Sequence, residues 1–250
     1  MRDYSKYRFE EIRNRLESAG FNPLDIMVTG VTGAGKSSTL NAFFEKQVAK
    51  VGEGVDPETM SIDSYSFNGG GIRFWDTPGL GDGIEADKRH TQKIVQLLNK
   101  TYGNNNEHGF IDLVLIIIDA GSKDLGTTYE LINKIVIPTF PHSSRLLVAL
   151  NQCDMALKGK GWDASKNKPS DELVRQLAHK VESISSRIRE TTNLNVSPIY
   201  YSATHGYNIQ ALLDLIINHI PSSRRDSRKD TSSLDRMLKQ TGARTRRFFN

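Results

Sequence analysis

The chain has one cysteine, Cys153, in 250 residues. A single thiol excludes an intrachain disulfide and makes a reducing cytoplasm the expected compartment. Long apolar runs are also missing. The longest purely aliphatic stretch, Leu113 to Ile118, is far short of the ~20 residues that cross a bilayer. The opening MRDYSKYRFEE has no apolar core and no small-residue cleavage site, so no secretory signal is expected. The closing RRFFN is not a prenylation box. His90, His108, His142 and His205 share no spacing, which argues against a zinc site. There is no internal repeat.

A strong excess of either charge is missing over most of the chain. The net charge is +4, yet residues 221–250 alone carry nine Arg or Lys against three Asp. The body, residues 1–220, is therefore slightly acidic. The basic pI belongs to an appendage, and no DNA sequence reader is expected in the body. With 37% hydrophobic and 25% charged residues, that body has the composition of an ordinary globular domain.

Periodicity places the elements. Residues 3–19 read as an amphipathic helix stopped by Gly20, packed on the domain edge or free as a partner-binding arm. Strands are expected at Leu24–Thr29, Ile62–Phe67, Ile72–Trp75, Leu113–Ile118, Leu146–Leu150 and Ile199–Tyr201. Helices are expected at Lys36–Glu45, Ile84–Tyr102, Thr128–Ile137 (ending before Pro138), Asp171–Arg189 and Ile209–Ile220. The connection Asn68-Gly69-Gly70-Gly71 is so short that its two strands must form an antiparallel hairpin. The alternation predicts an α/β fold: a mostly parallel six-stranded sheet with one antiparallel strand and helices on both faces. Arg73 and Trp75 read as the outward face of an edge strand. Lys158–Ser170 and Ser222–Ser233, rich in Lys, Gly and Ser or in charge, read as solvated loops. The division expected is an N-terminal helix over 1–20, a main domain over 21–220 and a basic tail over 221–250.

The chemistry lies in the loops after the strands. Gly30-Val31-Thr32-Gly33-Ala34-Gly35-Lys36-Ser37 matches G-x-x-x-x-G-K-[ST] between a strand and a helix. Glycines let backbone N–H groups wrap a phosphate chain, the helix N-terminus adds its dipole, Lys36 brings a full charge, and Ser37 offers a hydroxyl to Mg2+. Ser38 continues the loop. Asp76, at the end of the strand Ile72–Trp75, supplies the second oxygen that a hard, well-hydrated Mg2+ needs. Gly79 offers an N–H to a γ-phosphate. Asn151-Gln152-Cys153-Asp154 follows the strand Leu146–Leu150, and Ser202-Ala203 follows Ile199–Tyr201. Cys153 reads as a small packing residue, and Asp119 as a turn cap.

Together these residues resemble the guanine-nucleotide-binding G-domain, on its Era-like and septin-like side, which includes immunity-associated GTPases. The resemblance covers about residues 24–220 and implies a Ras-like P-loop NTPase fold that binds GTP and GDP with Mg2+ and hydrolyses GTP. In that family the motif is N-K-x-D. Asn151 and Asp154 match it, and the acid accepts the guanine N1 and N2 donors. Gln152 stands where the family has lysine. Ser202 and Ala203 match the last motif, whose backbone N–H meets guanine O6. The switch I threonine, which meets Mg2+ and the γ-phosphate, is expected at Thr59, with Ser61 as the alternative.

One family residue is missing. Many such switches place a water-orienting glutamine after the glycine of Asp76-Thr77-Pro78-Gly79, and here Leu80 follows. Slow turnover in the monomer is expected, with Lys36, Thr59 and Gly79 carrying what catalysis there is. Septin-like relatives imply a GTP-dependent homodimer through the nucleotide face. A GTP-gated assembly protein with negligible turnover is the alternative, and an ATPase or kinase sharing only the phosphate loop is a third reading. The basic tail reads either as a solvated, disordered end or as a segment whose Arg244, Arg246 and Arg247, beside Phe248 and Phe249, touch an anionic membrane or RNA. Membrane contact would place the protein at a membrane periphery.

Overall fold

The computed structural model describes Tyr4, residues 6–44, 63–67, 69 and 71–227. Thr59 and Ser61, and the tail beyond Ser227, lie outside the described residues.

Six strands form one sheet: β1 Leu24–Thr29, β2 Asp63–Phe67, β3 Ile72–Asp76, β4 Leu113–Asp119, β5 Leu146–Asn151 and β6 Ile199–Tyr200. Their order is β6-β5-β4-β1-β3-β2. All neighbours run parallel except β2 against β3. The expected architecture is present. β1 is buried throughout and β4 nearly so, as parallel strands covered on both faces must be. Alternate residues then feed two cores. Ile26, Val28, Phe74, Leu115 and Ile117 face one side, and Met27, Trp75, Val114, Ile116 and Ile118 the other.

Helices α1 Phe9–Ala19, α2 Lys36–Phe44, α3 Ile84–Asn99, α4 Gly126–Glu130, α5 Asp171–Thr192 and α6 Ile209–Asn218 cover these faces. α1 belongs to the domain. Its Ile12 and Leu16 are buried in the first core, roughly 2 kcal/mol each. Arg8 and Tyr7, just before it, bond Asp214 of α6 at 2.6 and 2.9 Å. α5 starts on Ser170, whose side chain accepts the Leu173 N–H, and buries Leu173, Leu177, Ile184 and Ile188 against the second core.

Several local expectations change. α3 ends at Asn99, and Thr101–Tyr102 pair antiparallel with His108–Gly109. The helical path after α4 continues through a π-helical turn, Leu131–Val136, to Thr139 and so passes Pro138. β3 is interior, flanked by β1 and β2. Trp75 is therefore fully buried, with its Nε1 donating to Asp25 at 2.7 Å, and Arg73 pairs with Asp25 at 2.6 Å. The stretch Lys158–Ser170 is no loose loop. Trp162–Asp163 and Lys168–Pro169 close a small hairpin. Ser222–Ser227 is not a solvated linker either. The Arg225 guanidinium is 3% exposed and donates to the Leu98 carbonyl, and Arg145 donates to the Ser223 carbonyl.

Candidate functional site

The register brings the carboxyl ends of the parallel strands together, with Val28 beside Asp76 and Asp119 beside Asn151. That edge is where open α/β sheets place their ligands. The loop between β1 and α2 crosses it. Two glycines at this edge, Gly35 in that loop and Gly79 after β3, are required by space. A Cβ on Gly35 (φ +84°) would lie 2.2 Å from Asn151 Nδ2, and one on Gly79 would lie 2.6 Å from the Thr32 backbone nitrogen. Thr32, Gly33, Ser37 and Ser38 are exposed at the mouth.

The phosphate half is closed on itself. Lys36 is buried, and its Nζ lies 3.2 and 3.4 Å from the carbonyls of Val31 and Gly30. Burial pulls its pKa below the usual lysine value, against the charges of Asp76 and Asp82. Ser37 donates to Asp76 Oδ2 at 2.7 Å, which sets two oxygens side by side as a divalent cation needs. Among the described residues there is no group of three metal-ligating His, Cys, Asp or Glu. The pair therefore fits a hydrated Mg2+ rather than a fully protein-caged ion. The Thr32 N–H donates to the Leu80 carbonyl at 2.7 Å, and its hydroxyl to Asp82 at 2.8 Å. The Leu80 side chain is 4% exposed and packs into the second core with Trp75 and Ile94. The loop is held further by His90, whose Nδ1 meets the Gly79 carbonyl at 2.6 Å.

The base half is tied to the phosphate loop by amide side chains. Asn151, 1% exposed, donates through Nδ2 to the Ala34 carbonyl and accepts the Ala203 N–H through Oδ1, both at 3.0 Å. The backbone donor assigned to guanine O6 is thus engaged by Asn151 in this structure. Gln152 sits at φ +60° and gives its Nε2 to the Gly33 carbonyl at 2.7 Å. It fastens the two loops with no charge. Asp154 is 7% exposed. Its Oδ1 is buried with no hydrogen-bond partner, and its Oδ2 lies 3.7 Å from His205 Nε2. A buried carboxylate oxygen with nothing to accept is expensive unless a ligand donor meets it. Guanine supplies such donors at N1 and N2. Ser202 is buried, and its Oγ accepts the His205 N–H at 3.2 Å. Cys153 is buried, and burial with the adjacent Asp154 charge pushes its thiol up to about 12. It is a packing residue and no nucleophile. Asp119 caps its own turn by accepting the Gly121 N–H at 2.6 Å.

Residues 25–152, just over half of the chain, match the family model described as 50S ribosome-binding GTPase. The chain belongs to this GTPase family. GTP is accordingly the nucleotide of the cradle, and the septin-like side of the resemblance holds. Neuronal-specific septin-3 of Danio rerio is 36% identical to the GTPase over 104 residues, 37% of this chain and 28% of that one. Translocase of chloroplast 125 of Physcomitrium patens is 37% identical over 90 residues, 34% of this chain and 8% of that one. The chain thus spans under a third of the septin and under a tenth of the translocase. An uncharacterized protein of Methanocaldococcus jannaschii matches along most of its length, at 28% identity over 206 residues, 78% of this chain and 95% of that one. Among solved structures, Toc33 from Arabidopsis thaliana in complex with GDP and Mg2+ superposes with a TM-score of 0.61 at 18% identity, covering 89% of this chain and 94% of that one. That likeness concerns the fold.

Sequence reasoning missed Asp82, His90 and His205. None of them falls in a motif, and each reaches the site only through a loop contact that spacing does not encode.

Proposed function

We infer that this GTPase binds GTP and GDP with Mg2+, hydrolyses GTP slowly as a monomer, and turns over faster when two copies pair across the nucleotide face. The observation that carries the reading is the burial of Leu80. The position after Gly79 presents a backbone carbonyl to Thr32 and a side chain to the core. No side chain there can hold an attacking water as a glutamine would. Lys36 carries the phosphate charge once it exchanges its own loop carbonyls for nucleotide oxygens. Ser37 and Asp76, with Thr59 expected from switch I, would hold Mg2+, which when bound would supply charge neutralisation of the phosphates. Gly79 presents its N–H to the γ-phosphate, and Asp154 selects the base. A second subunit over the cradle excludes water and adds the missing positioning group.

The solved neighbours support this. Toc33 has been crystallised with Mg2+ and GMPPNP and as a dimerization-deficient mutant. Cytoplasmic residence, with the basic segment beyond Ser227 against an anionic membrane or RNA, belongs to the same proposal. Among the described residues no helix is long and apolar enough to cross a membrane.

The test is GTP hydrolysis per molecule over a hundredfold range of protein concentration, with oligomer size followed in parallel. The expected rate rises as dimers form. A flat rate from a GTP-bound monomer would sink the pairing mechanism. Assembly on GTP with no turnover at any concentration would make the protein a GTP-gated scaffold.

A further inference from the structure

His205 is held on three sides. Its backbone N–H bonds Ser202 Oγ at 3.2 Å, its carbonyl accepts from Asn167 Nδ2 at 2.9 Å, and its ring lies 5.1 Å from the Trp162 ring at 37° between planes. Trp162 and Asn167 belong to the small hairpin after the Asn151–Asp154 loop, and Tyr207 braces Trp162 edge-on at 5.3 Å. The anchored ring is 37% exposed and points Nε2 at Asp154 Oδ2, 3.7 Å away. The hairpin is thus a mount for one imidazole beside the carboxylate that reads the base.

We propose that His205 is a positioning residue for guanine recognition: it sets the orientation of the Asp154 carboxylate and, when protonated, competes with the base for it. This rests on the assignment of Asp154 to guanine. A neutral imidazole, in contact with Oδ2 at 3.7 Å, limits how the carboxylate can turn while leaving both Asp154 oxygens to accept from the N1 and N2 donors. An imidazolium makes a charge-assisted pair with Oδ2 that the base must share or displace. The imidazolium and the base compete for the same carboxylate, so affinity falls on acidification. The other ionisable groups near the ring do not replace this effect. Cys153, Tyr200 and Tyr207 keep their protons, with pKa values raised above their usual values by burial. Asp163 and Lys166 of the hairpin pair with each other at 3.5 Å.

The experiment titrates the full chain with fluorescent GDP between pH 5.5 and 8.5 at constant ionic strength, for the wild type, His205→Gln, His205→Ala and Asp154→Asn. Phosphate ionisation is common to all, so the ratio of dissociation constants to wild type is the readout. The expected wild-type affinity drops about threefold to tenfold more than that of His205→Gln on acidification, which is the scale of a partly buried ion pair. Gln keeps the reach and loses the charge, so at pH 8 it binds within about threefold of wild type, whereas His205→Ala binds more weakly. Parallel pH profiles for wild type and His205→Gln would overturn the proposal. Asp154→Asn isolates the underlying assignment. If it keeps its preference for GDP over XDP at pH 8, the base reading itself fails, whatever the His205 profiles show.

Discussion

The two ends of the central sheet use similar residues in opposite ways. At the carboxyl ends of the strands, polar side chains are tied to neighbouring loops by one or two bonds each, which a ligand can exchange. Lys36 rests on loop carbonyls, Ser37 on Asp76, Thr32 on Asp82, and Asp154 keeps one oxygen open. At the amino ends, charges are locked several at a time. Asp25 takes Arg73 in two bonds and Trp75 in a third, while its N–H bonds Asp112. Arg145 reaches the carbonyls of Asp112 and Ser223. Arg224 lies over Phe21 and Tyr102, and Arg225 lies over Phe140. One end can trade partners without unfolding. The other can change only by losing structure.

Mutations should separate the ends cleanly. Lys36→Ala should show the largest effect: calorimetry should find triphosphate binding weakened by at least ~1000-fold, about 4 kcal/mol, with melting temperature unmoved. Arg225→Ala should do the reverse. Denaturant unfolding should report a loss of about 3 kcal/mol, because a buried guanidinium is deleted from under Gly109. GDP affinity should stay within twofold, and a parallel loss of affinity would break the comparison.

Asp112 sharpens it further. The residue is fully buried. Burial, with the Asp25 charge, pushes its carboxyl up to about 7 against the Asp25 N–H and the guanidinium groups of Arg224 and Arg145. The folded protein therefore holds this proton more tightly than the unfolded chain, whose carboxyl titrates near 4. Its stabilising contribution is full below about pH 4 and is lost as pH rises to about 7. Thermal unfolding should show wild type losing roughly 2–4 kcal/mol across that window, and Asp112→Asn should flatten the curve. Gln152→Lys should have the smallest effect. It restores the family's charge while keeping reach to the Gly33 carbonyl, and GDP affinity should rise about threefold in fluorescence competition.

The residues readable beforehand were those that a strand end and a fixed spacing define together. The phosphate loop, Asp76 and the Asn151–Asp154 set fall at strand ends because a parallel sheet delivers all its crossovers to one edge. The buried runs of β1 and β4 made the sheet itself legible. The ties between loops were not. Gln152 reaching Gly33, or His205 reaching Asp154, depends on sheet register across distant segments. The hairpin at Trp162–Pro169 was hidden because two-residue strands carry no period and its Lys, Gly and Ser content reads as solvent-exposed. Trp75 misled for a related reason. Alternation tells which residues share a face, but only the strand order tells whether that face is covered.

The seat of Arg225 also decides where this protein can be cut. Composition suggests trimming at Pro221, where the basic run begins. A protein shortened there would lose both guanidinium groups from the base of the sheet, the Gly109 N–H bond to the Arg225 carbonyl and the Ser227 N–H bond to the Glu107 carbonyl. Its defects would be misread as tail function. A trimming that keeps Ser227 leaves those contacts whole, so any change in binding to vesicles or RNA after that cut belongs to the removed segment alone.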